Sequence, residues 1–410
     1  MRRSTIAALT EELIRREDEV GAHNYAPLDV LLSHGEGVWV LDVEGRRYLD
    51  CISAYSALNH GHRHPRIVRA LVDQAERLAL TSRAVRSDRL GRFLERLTGV
   101  AGHEAALPMN TGAEAVETAI KLARRWGYRR KGIPRDRAEI VVFDGAFHGR
   151  TTTIVGFSST ERYRSDFGPF TPGFRRVPYG DLAALEGAVD DRTCAVLIEP
   201  IQGEGGVIVP PPGYLQGVAA LCRDRNVLFV ADEIQTGFGR TGDLFACDHE
   251  GVRPDVLIVG KALGGGLYPV SAVLAAWRIM ELFGPGDHGS TFGGNPLACA
   301  VGEAAIDVLL DERLTERARQ RGAELIEGLR AISSPLVREV RGRGLLIGVE
   351  LTMPARALSK LLIDEGILAK ETHDCVLRIA PPLTLDREHV LTILRGVERA
   401  LRRLERNSSP

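Results

Sequence analysis

Lys261 is the residue of this chain whose type and surroundings most clearly point to chemistry. The chain contains 53 basic residues, and only five of them are lysines. Lys261 follows the apolar run 256–259 and a glycine, and it precedes three consecutive glycines at 264–266. An arginine keeps its proton in proteins, whereas a lysine with a lowered pKa loses its proton and forms imines. This position therefore predicts a Schiff-base lysine at the end of a buried strand.

Three other apolar runs, which are typical of strands covered on both faces, also end in polar residues. The runs and the polar residues that follow them are 140–143 with His148 and Arg150, 194–198 with Glu199, Gln202 and Glu204, and 227–230 with Asp232, Glu233 and Gln235. Ligands of open α/β sheets bind beyond the carboxyl ends of the strands. We therefore expect these side chains and Lys261 to converge at one edge of a sheet.

A phosphate site is the second chemical feature of the sequence. Thr111 and Glu114 have the spacing of a capping box at the start of a predicted helix, with Gly112 and Ala113 between them. An ordinary capped helix explains these residues when they are taken alone. Gly112 would also let the free N–H groups of the helix start approach an anion. A second cluster of small polar residues offers donors to the same anion: Gly289, Ser290, Thr291 and Asn295.

An imine-forming lysine, a phosphate site and a strand-end aspartate together predict pyridoxal phosphate as the cofactor. This cofactor needs an imine lysine and a carboxylate at its pyridinium nitrogen, because the protonated ring is an electron sink. Asp232 is the predicted carboxylate; a buried cap of the next turn is the less favoured alternative, since Glu233 adjoins it. Phe147 and Ile234 are predicted to pack on the ring faces, although each taken singly also fits simple core packing. Gln235 is predicted to hydrogen-bond the ring hydroxyl oxygen.

The order of elements predicts an α/β protein. Apolar strand-like runs alternate with helical stretches from about residue 105, which favours an open, mostly parallel sheet flanked by helices. Residues 37–50 are typical of a β-hairpin, and the last third suggests a second strand group with a final helix near 386–404. The predicted units are an N-terminal helix and hairpin segment (1–50), a large cofactor-binding domain (51–302) and a smaller C-terminal α/β domain (303–410).

Composition and charge exclude several other classes of protein. The formal net charge is -1 and 44% of the residues are hydrophobic, as in a soluble globular protein with a sizeable core. There is no nucleic-acid-binding motif, and no apolar stretch approaches the ~20 residues that span a bilayer. The six scattered cysteines predict neither a disulfide framework nor a metal site. The acidic N-terminal segment is unlike a signal or transit peptide, so we expect a cytoplasmic protein.

The motifs together resemble class III aminotransferases, which are pyridoxal phosphate enzymes of fold type I. Residues 228–242, followed by Lys261, resemble the signature of that class. Within the class, stretches over almost the whole chain are most similar to ornithine aminotransferases. These stretches are 21–28, 53–62, 107–112, 199–204, 260–273, 288–296 and 378–383. The resemblance implies a homodimer with active sites between the subunits.

The resemblance also implies roles for the residues that hold the cofactor. Lys261 would form the Schiff base and then move the proton during catalysis, and Asp232 would pair with the pyridinium nitrogen. The other implied contacts to the cofactor are Gly112, Ala113 and Gln235, together with Ser290 and Thr291 donated by the other subunit to the phosphate.

Five further residues are implied to select the substrate. Arg378 would bind the α-carboxylate of glutamate or 2-oxoglutarate, and Arg150 its side-chain carboxylate. Tyr25 with Arg150 would hold the α-amino acid end of ornithine, and Tyr55 would shape the pocket. Glu204 would mask Arg378 while ornithine reacts, because a guanidinium fork prefers one carboxylate at a time; a solvated loop acid is the alternative. The implied reaction moves the δ-amino group of L-ornithine to 2-oxoglutarate, giving glutamate and glutamate 5-semialdehyde, which cyclises to pyrroline-5-carboxylate.

Other functions stay open at this point. Aminotransferases for acetylornithine, 4-aminobutyrate or a related diamine would share every cofactor residue and differ only in the pocket. A mutase or racemase on the same scaffold would not require a 2-oxo acid. A cofactor-binding protein without activity is disfavoured by Lys261 and Asp232. Glu371 and Asp374 also stand where the family pattern leads us to expect Pro and Gly, just before the strand that carries Arg378.

Overall fold

The structure, a computed structural model, describes residues 2–408. Its strands are β1 (Leu32–Glu36), β2 (Trp39–Asp42), β3 (Arg47–Asp50), β4 (Ala105–Met109), β5 (Glu139–Phe143), β6 (Phe174–Val177), β7 (Thr193–Ile198), β8 (Leu228–Asp232), β9 (Val256–Val259), β10 (Ser271–Ala275), β11 (Val337–Arg343), β12 (Leu346–Leu351), β13 (Ile367–Leu368), β14 (Lys370–Thr372) and β15 (Val376–Ile379). The helices are α1 (Arg2–Val20), α2 (Ser53–Ser56), α3 (Pro65–Ala75), α4 (Leu90–Ala101), α5 (Gly112–Trp126), α6 (Thr152–Gly156), α7 (Leu182–Ala188), α8 (Tyr214–Asp224), α9 (Trp277–Met280), α10 (Pro296–Asp311), α11 (Leu314–Ala331), α12 (Arg356–Asp364) and α13 (Arg387–Ser408).

A seven-stranded sheet in the order β4-β10-β9-β8-β7-β5-β6 forms the centre of the larger part of the fold. Strands β5 to β9 pair in parallel, and β10 runs antiparallel to both of its neighbours. Side chains alternate along each strand between two hydrophobic cores: Ile140 and Val142 of β5 face one core, and Val141 and Phe143 face the other. Because both faces are buried, these strands are continuous apolar runs in the sequence.

The predicted α/β fold class is confirmed by this sheet. Strands β5, β7, β8 and β9 lie at the four apolar runs that the sequence indicates, and their carboxyl ends share one edge. The edge strands β4 and β6 and the antiparallel strand β10 were not predicted. They lengthen the sheet but do not change which residues meet at its carboxyl edge.

Two four-stranded sheets make up the rest of the fold. One has the order β1-β2-β3-β13, and it contains the predicted hairpin as the antiparallel pair β2–β3. Strand β13 joins this sheet in parallel with β3, so a strand from the last quarter of the chain completes the sheet of the N-terminal hairpin. The other is the antiparallel sheet β11-β12-β15-β14. Helix α10 continues without interruption through residue 302, and the division of the chain at 50 and 302 stays a prediction.

Arg240 ties the C-terminal sheet to the larger part of the fold. Its guanidinium is fully buried and donates hydrogen bonds to the carbonyl oxygens of Leu345 at 3.0 Å and Pro381 at 2.5 Å. It also donates to the side-chain oxygen of Asn59 at 2.6 Å, and the Asn59 amide donates to the carbonyl of Phe238 at 2.8 Å. Burial lowers the pKa of Arg240 to about 9. One cation thus joins three segments through neutral oxygens.

A left-handed turn follows strand β3. All four residues of α2 have positive φ, including 59° at Tyr55, in the region that costs non-glycine residues about 1–2 kcal/mol each. The side chain of Asp50 stabilises the entry to this turn by accepting hydrogen bonds from the N–H groups of Ile52 and Ser53, both at 2.9 Å. The turn directs the chain so that Tyr55 lies beside Gln235, whose amide donates to the Tyr55 carbonyl at 3.3 Å.

The six cysteines are all free, as the sequence predicts, and five of them are buried. No helix within residues 2–408 combines the length and the apolar character needed to cross a bilayer.

Gly322 and Gly99 offer a test of the packing between α11 and the C-terminal sheet. A Cβ at Gly322 would overlap the backbone carbonyl of Gly344, whereas a Cβ at Gly99 of α4 meets nothing within 4 Å. We expect Gly322→Ala to lower the free energy of unfolding by about 1–3 kcal/mol, because backbone cannot move aside as a side chain does. The matched control Gly99→Ala should raise it by about 0.5–1 kcal/mol. Urea denaturation followed by circular dichroism measures both; equal stability of the two variants would contradict this packing.

Candidate active site

Lys261 lies directly after strand β9, where it begins a single 3-10 turn, Lys261–Gly264. Its φ of 46° is left-handed, which turns the chain sharply at the edge of the sheet. Burial lowers the pKa of Lys261 and Arg378 lowers it further, although the carboxylates of Glu204, Asp232 and Glu199 act in the opposite direction. The expected convergence is therefore found for Glu199 and Glu204 after β7, Asp232 at the end of β8 and Lys261 after β9. It is not found for Glu233, whose carboxylate accepts hydrogen bonds from the backbone N–H groups of Ala246 and Cys247, nor for the exposed Arg150.

Asp232 is buried at the end of β8 and is held by two hydrogen bonds. The backbone N–H of Ile234 donates to its Oδ1 at 3.1 Å, and Nδ1 of His148 donates to its Oδ2 at 2.7 Å. Burial lowers the pKa of His148, but the hydrogen bond and charge of Asp232, together with the charge of Glu199, outweigh it and raise the pKa. The imidazole therefore fixes the orientation of Asp232 and supports its negative charge, while the other ring nitrogen, Nε2, is buried without a partner among the described residues.

Glu199 is a second buried carboxyl group at this edge. It accepts hydrogen bonds from the backbone N–H groups of Phe147 at 2.8 Å and Gly203 at 3.3 Å. Burial raises its pKa to about 7, and the negative charge of Asp232 adds to the rise, whereas His148 opposes it. Glu199 thus joins the loops that follow β5 and β7, and it titrates near neutral pH.

The start of helix α5 has the geometry of an anion site. The capping box is present: the Glu114 N–H donates to the Thr111 side chain at 3.3 Å, and the Thr111 N–H donates to the Glu114 carboxylate at 2.7 Å. The N–H groups of Gly112 and Ala113 form no hydrogen bond within residues 2–408, as expected for a first helical turn. A Cβ at Gly112 would lie 3.0 Å from the side chain of Ile234, so only glycine leaves this position open.

Ser290 and Thr291 lie on the segment that leads to helix α10. The Asn110 amide, next to the start of α5, donates to the Ser290 hydroxyl at 2.8 Å in the same chain. Thr291 and the neighbouring Phe292 are exposed. The single chain therefore brings this segment close to the anion site, and the contribution of these hydroxyls from a second subunit stays a prediction.

Gln235 and Ile234 project from the turn after Asp232. The Gln235 amide nitrogen lies 3.4 Å from a Glu204 carboxylate oxygen, and its own oxygen is buried without a partner among the described residues. Gly203 makes room for this side chain, because a Cβ there would overlap the Gln235 oxygen. An unpartnered acceptor that is buried beside the lysine indicates a missing donor.

Glu204 and Arg378 form an ion pair at the mouth of this site. Arg378 is buried, and its guanidinium lies 5.3 Å from the ring centre of Tyr55. Burial alone would raise the pKa of Glu204, but the charge and hydrogen bond of Arg378 outweigh it and lower the pKa. The pKa of Tyr55 is raised by burial first and then by the charge of Glu204; Tyr25 adds a smaller effect. The Glu204 carboxylate is therefore a partner of Arg378, not a freely solvated group.

Arg150 and Tyr25 are exposed, and Phe147 is half-buried. The Arg150 guanidinium lies 4.2 Å from the ring centre of Tyr163 and 5.7 Å from that of Phe147, and the residue is exposed. Tyr25 is 67% exposed, which places it at the rim of the site and not inside it. Of the predicted substrate residues, the fold thus brings Tyr55, Glu204 and Arg378 together, and leaves the other two at the solvent boundary.

The loop before β15 explains why two departures from the family pattern are tolerated. Asp374 has φ of 61°, the left-handed conformation that Asp adopts more easily than most residues. Glu371 accepts a hydrogen bond from Arg356 at 2.7 Å and pairs with Lys370 at 3.7 Å. The loop therefore keeps its turn without a glycine, and Arg378 retains its pairing with Glu204.

These residues fit a phosphorylated pyridine aldehyde. Lys261 is an amine with a lowered pKa that forms no hydrogen bond within the described chain. The buried Asp232 is positioned to accept a pyridinium N–H, the Gln235 oxygen lacks a donor, and the first turn of α5 offers free N–H groups. Each functional group of pyridoxal phosphate has a complementary group among these residues.

Comparison with known proteins agrees with this geometry. Residues 20–401 match the family described as Aminotransferase class-III. The chain belongs to the class-III aminotransferases. It is 56% identical to an ornithine aminotransferase of Brevibacillus brevis over 92% of this chain and 95% of that protein. The ornithine aminotransferase of Toxoplasma gondii, in a structure with partial occupancy of pyridoxal phosphate at its active site, superposes with a TM-score of 0.96 at 43% identity over 97% of this chain and 95% of that one.

A third relative carries a different name. An acetylornithine aminotransferase of Elizabethkingia anophelis superposes with a TM-score of 0.89 at 51% identity, over 96% of this chain and 99% of that one. Class-III aminotransferases of both names therefore share this fold and a large part of this sequence.

The sequence did not identify two buried residues of this site, His148 and Glu199, as members of it. His148 and Glu199 were visible as polar residues after β5 and β7, but neither was assigned a role. His148 adjoins the predicted ring-packing residue Phe147, and Glu199 is the first polar residue after a buried strand; both are signals that a search for buried partners of Asp232 could have used.

The raised pKa of Glu199 predicts a pH-dependent stability difference. A carboxyl group whose pKa rises on folding, here from 4.5 to about 7, binds more protons in the folded state, so its contribution to stability declines as pH rises through that interval. We expect the stability of Glu199→Gln relative to the wild type to increase between about pH 4.5 and 7 and to stay level above. Thermal unfolding at a series of pH values measures this. The exposed Glu76→Gln is the control, and parallel curves for both variants would contradict the assignment.

Proposed function

We propose that this protein is an ornithine aminotransferase that uses pyridoxal phosphate. It would transfer the δ-amino group of L-ornithine to 2-oxoglutarate, giving glutamate 5-semialdehyde, which cyclises to pyrroline-5-carboxylate, and glutamate. The observation that carries this proposal is the Glu204–Arg378 pair beside Tyr55 and Lys261, since it offers a mask for the α-carboxylate site. The similarity to ornithine aminotransferases over almost the full chain supports it.

The cofactor, when bound, supplies an aldehyde for the amine and an electron sink for the deprotonated carbon. Lys261 is the proposed covalent residue, and its lowered pKa favours the neutral amine that this step requires. Asp232 would accept a hydrogen bond from the pyridinium N–H and keep that nitrogen protonated, and His148 would hold the carboxylate in orientation. The remaining proposed contacts are Gly112 and Ala113 at the phosphate, Gln235 at the ring hydroxyl, and Phe147 and Ile234 at the ring faces.

Lys261 is also the proposed proton carrier. The amine of Lys261 lies where the charges of Glu204, Asp232 and Glu199 raise its pKa against the effect of burial. Burial favours the neutral amine, which could act as a base, while the carboxylates favour the protonated form, which could act as an acid. The same nitrogen can therefore remove a proton at one position and return it at another.

Arg378 and Glu204 would decide which end of the substrate reacts. Arg378 would bind the α-carboxylate of glutamate or 2-oxoglutarate, with Arg150 at the other carboxylate. While Glu204 occupies the guanidinium, an α-carboxylate gains nothing there, so ornithine would enter with its δ-amine first. Tyr55 would then line the pocket, and Tyr25 with Arg150 would hold the α-amino acid end at the rim, where both residues lie.

N-acetylornithine is the second candidate donor, because the Elizabethkingia structure named for that substrate shares 51% identity with this chain. Acetylation removes the positive charge of the α-amine and adds bulk at the rim of the site. The two donors would differ at Tyr25, whose ring favours the α-ammonium of ornithine over the neutral amide of N-acetylornithine.

A panel of amine donors tests the proposed function. The holoenzyme is mixed with ornithine, N-acetylornithine, 4-aminobutyrate or lysine, without a 2-oxo acid, and the cofactor absorbance is followed in a stopped-flow instrument. We expect ornithine to bleach the yellow colour fastest, by about tenfold or more over the others, which corresponds to ~1.4 kcal/mol in the transition state. A faster reaction with N-acetylornithine would replace the proposed donor, and bleaching by none would refute a transaminase of this group.

Glu204→Ala tests the mask over Arg378. We expect its preference for δ- over α-amino transfer to decrease by about tenfold or more, since a tenfold change requires only ~1.4 kcal/mol and an ion pair is lost. Product analysis with ornithine and glutamate as competing donors measures the ratio. Glu76→Ala, which removes an exposed carboxylate far from these residues in sequence, serves as the control. Unchanged regioselectivity in Glu204→Ala would contradict the proposal that Glu204 masks Arg378.

We also propose a homodimer in which Ser290 and Thr291 of one subunit reach the cofactor phosphate of the other. Exposed apolar side chains next to this segment and on the 78–85 segment support the proposal: Phe292 is 47% exposed, Val85 60% and Leu78 44%. Exposed apolar side chains that lie together in a patch are typical of surfaces that another protein covers. Light scattering gives the mass directly, and a monomer with full cofactor affinity would contradict the shared site.

A further inference from the structure

A groove of about 760 Å3 lies apart from the active-site residues. Its walls are the C-terminal half of helix α5 with the turn that follows it, and the side chain of Phe283. The cationic residues of the lining are Lys121, Arg124, Arg125, Arg129 and Arg135, and Asp136 is the one acidic residue. This volume is typical of sites for small molecules.

The groove carries an excess of positive charge in a chain whose net charge is -1. Arg125 pairs with Asp287, and Arg135 lies 3.6 Å from Asp136. Arg129 is exposed and forms no hydrogen bond or ion pair within residues 2–408. Arg124 donates to the neutral carbonyl oxygen of Pro172, so its charge is not compensated. The lining residues therefore carry three more cations than there are carboxylates, even when both aspartates are counted.

The cations on helix α5 are arranged in a row. Lys121 and Arg125 are four residues apart on α5, so they lie on one face of it, where like charges repel each other. Arg129 follows in the turn after α5 and lines the same groove. Lys121 is held in place by a relay: its ammonium donates to Nδ1 of His288 at 2.8 Å, and the other ring nitrogen lies 2.8 Å from the Thr118 hydroxyl. Because Nδ1 of His288 must accept from the ammonium, the imidazole is neutral and adds no charge of its own to the groove.

We propose that this groove binds a small anion that carries a pyrophosphate group. Adjacent phosphates offer two or more negative charges at a spacing that a row of cations can match, and arginine binds phosphate oxygens with two parallel hydrogen bonds. The rings of Tyr128 and Phe283 in the same groove provide an apolar surface for a base, so the pyrophosphate can be free or part of a nucleotide. This site is separate from the proposed cofactor site and does not depend on the proposed function.

Isothermal titration of the holoenzyme tests the site, with the cofactor bound so that its phosphate site is occupied. The probes are sodium pyrophosphate, ADP, adenosine and citrate, each at 150 mM salt. The test variant is Arg129→Gln with Arg135→Gln, whose side chains lie at the surface and support no other element. The matched control, Arg387→Gln with Arg395→Gln, removes the same charge from the exposed face of α13.

We expect pyrophosphate and ADP to bind the wild type and the control variant with the same affinity. Their affinity for the test variant should be lower by about tenfold or more, because two close positive charges are lost. Equal affinities for pyrophosphate and ADP would show that the groove recognises the phosphates alone. Tighter binding of ADP would show that the aromatic rings also contribute. Both results support the site. No binding of either probe, equal weakening in the control variant, or binding of citrate or adenosine as tightly as pyrophosphate would overturn it.

Discussion

The arrangement of the active site depends on the pairing of buried charged side chains with opposite charges or hydrogen-bond partners. Removing an ion from water costs several kcal/mol unless a partner or hydrogen bonds replace the solvent. At the carboxyl edge of the sheet His148 supports Asp232, Arg378 supports Glu204, and two backbone N–H groups support Glu199. Lys261 is the exception, since carboxylates act on it by charge but none is hydrogen-bonded to it. Burial therefore lowers the pKa of its amine.

A second constraint fixes the position of Arg378 relative to Glu204 at this edge of the sheet. Arg378 belongs to the C-terminal sheet, whereas Glu204 belongs to a loop of the larger sheet, so their pairing requires the two sheets to be fixed relative to each other. Arg240 provides this connection with hydrogen bonds to Leu345, Pro381 and Asn59. Since its acceptors are neutral, Arg240 does not compete with Arg378 for a carboxylate. A structural cation and a substrate-binding cation can therefore lie in the same region without exchanging partners.

The sequence predicts the sheet and the reactive lysine because both depend on local pattern. Four apolar runs mark four central strands, and their polar ends meet because parallel strands end at one edge. The partners of the reactive groups are less visible, since they depend on distant contacts: His148 meets Asp232 across 84 positions of the chain. The antiparallel strand β10 follows the glycine loop after Lys261, and its apolar sequence alone does not reveal its direction. Tyr25 and Arg150, inferred from resemblance, have exposures that no local pattern predicts.

The glycine-rich loop around Glu204 determines how the mask over Arg378 can open. Such a loop suggests flexibility, but here the glycines serve close packing: Gly205 lies against the carbonyl of Gly145, where a Cβ would approach to 2.7 Å. The hydroxyl of Thr372 also donates to the Glu204 carbonyl at 2.9 Å, which fixes the backbone next to the C-terminal sheet. Moving the loop would break these contacts, whereas rotating the Glu204 side chain breaks only the ion pair and the weak contact from Gln235 at 3.4 Å. Because the carboxylate retains contact with solvent, it can be rehydrated as it leaves Arg378, and side-chain rotation is the less costly route.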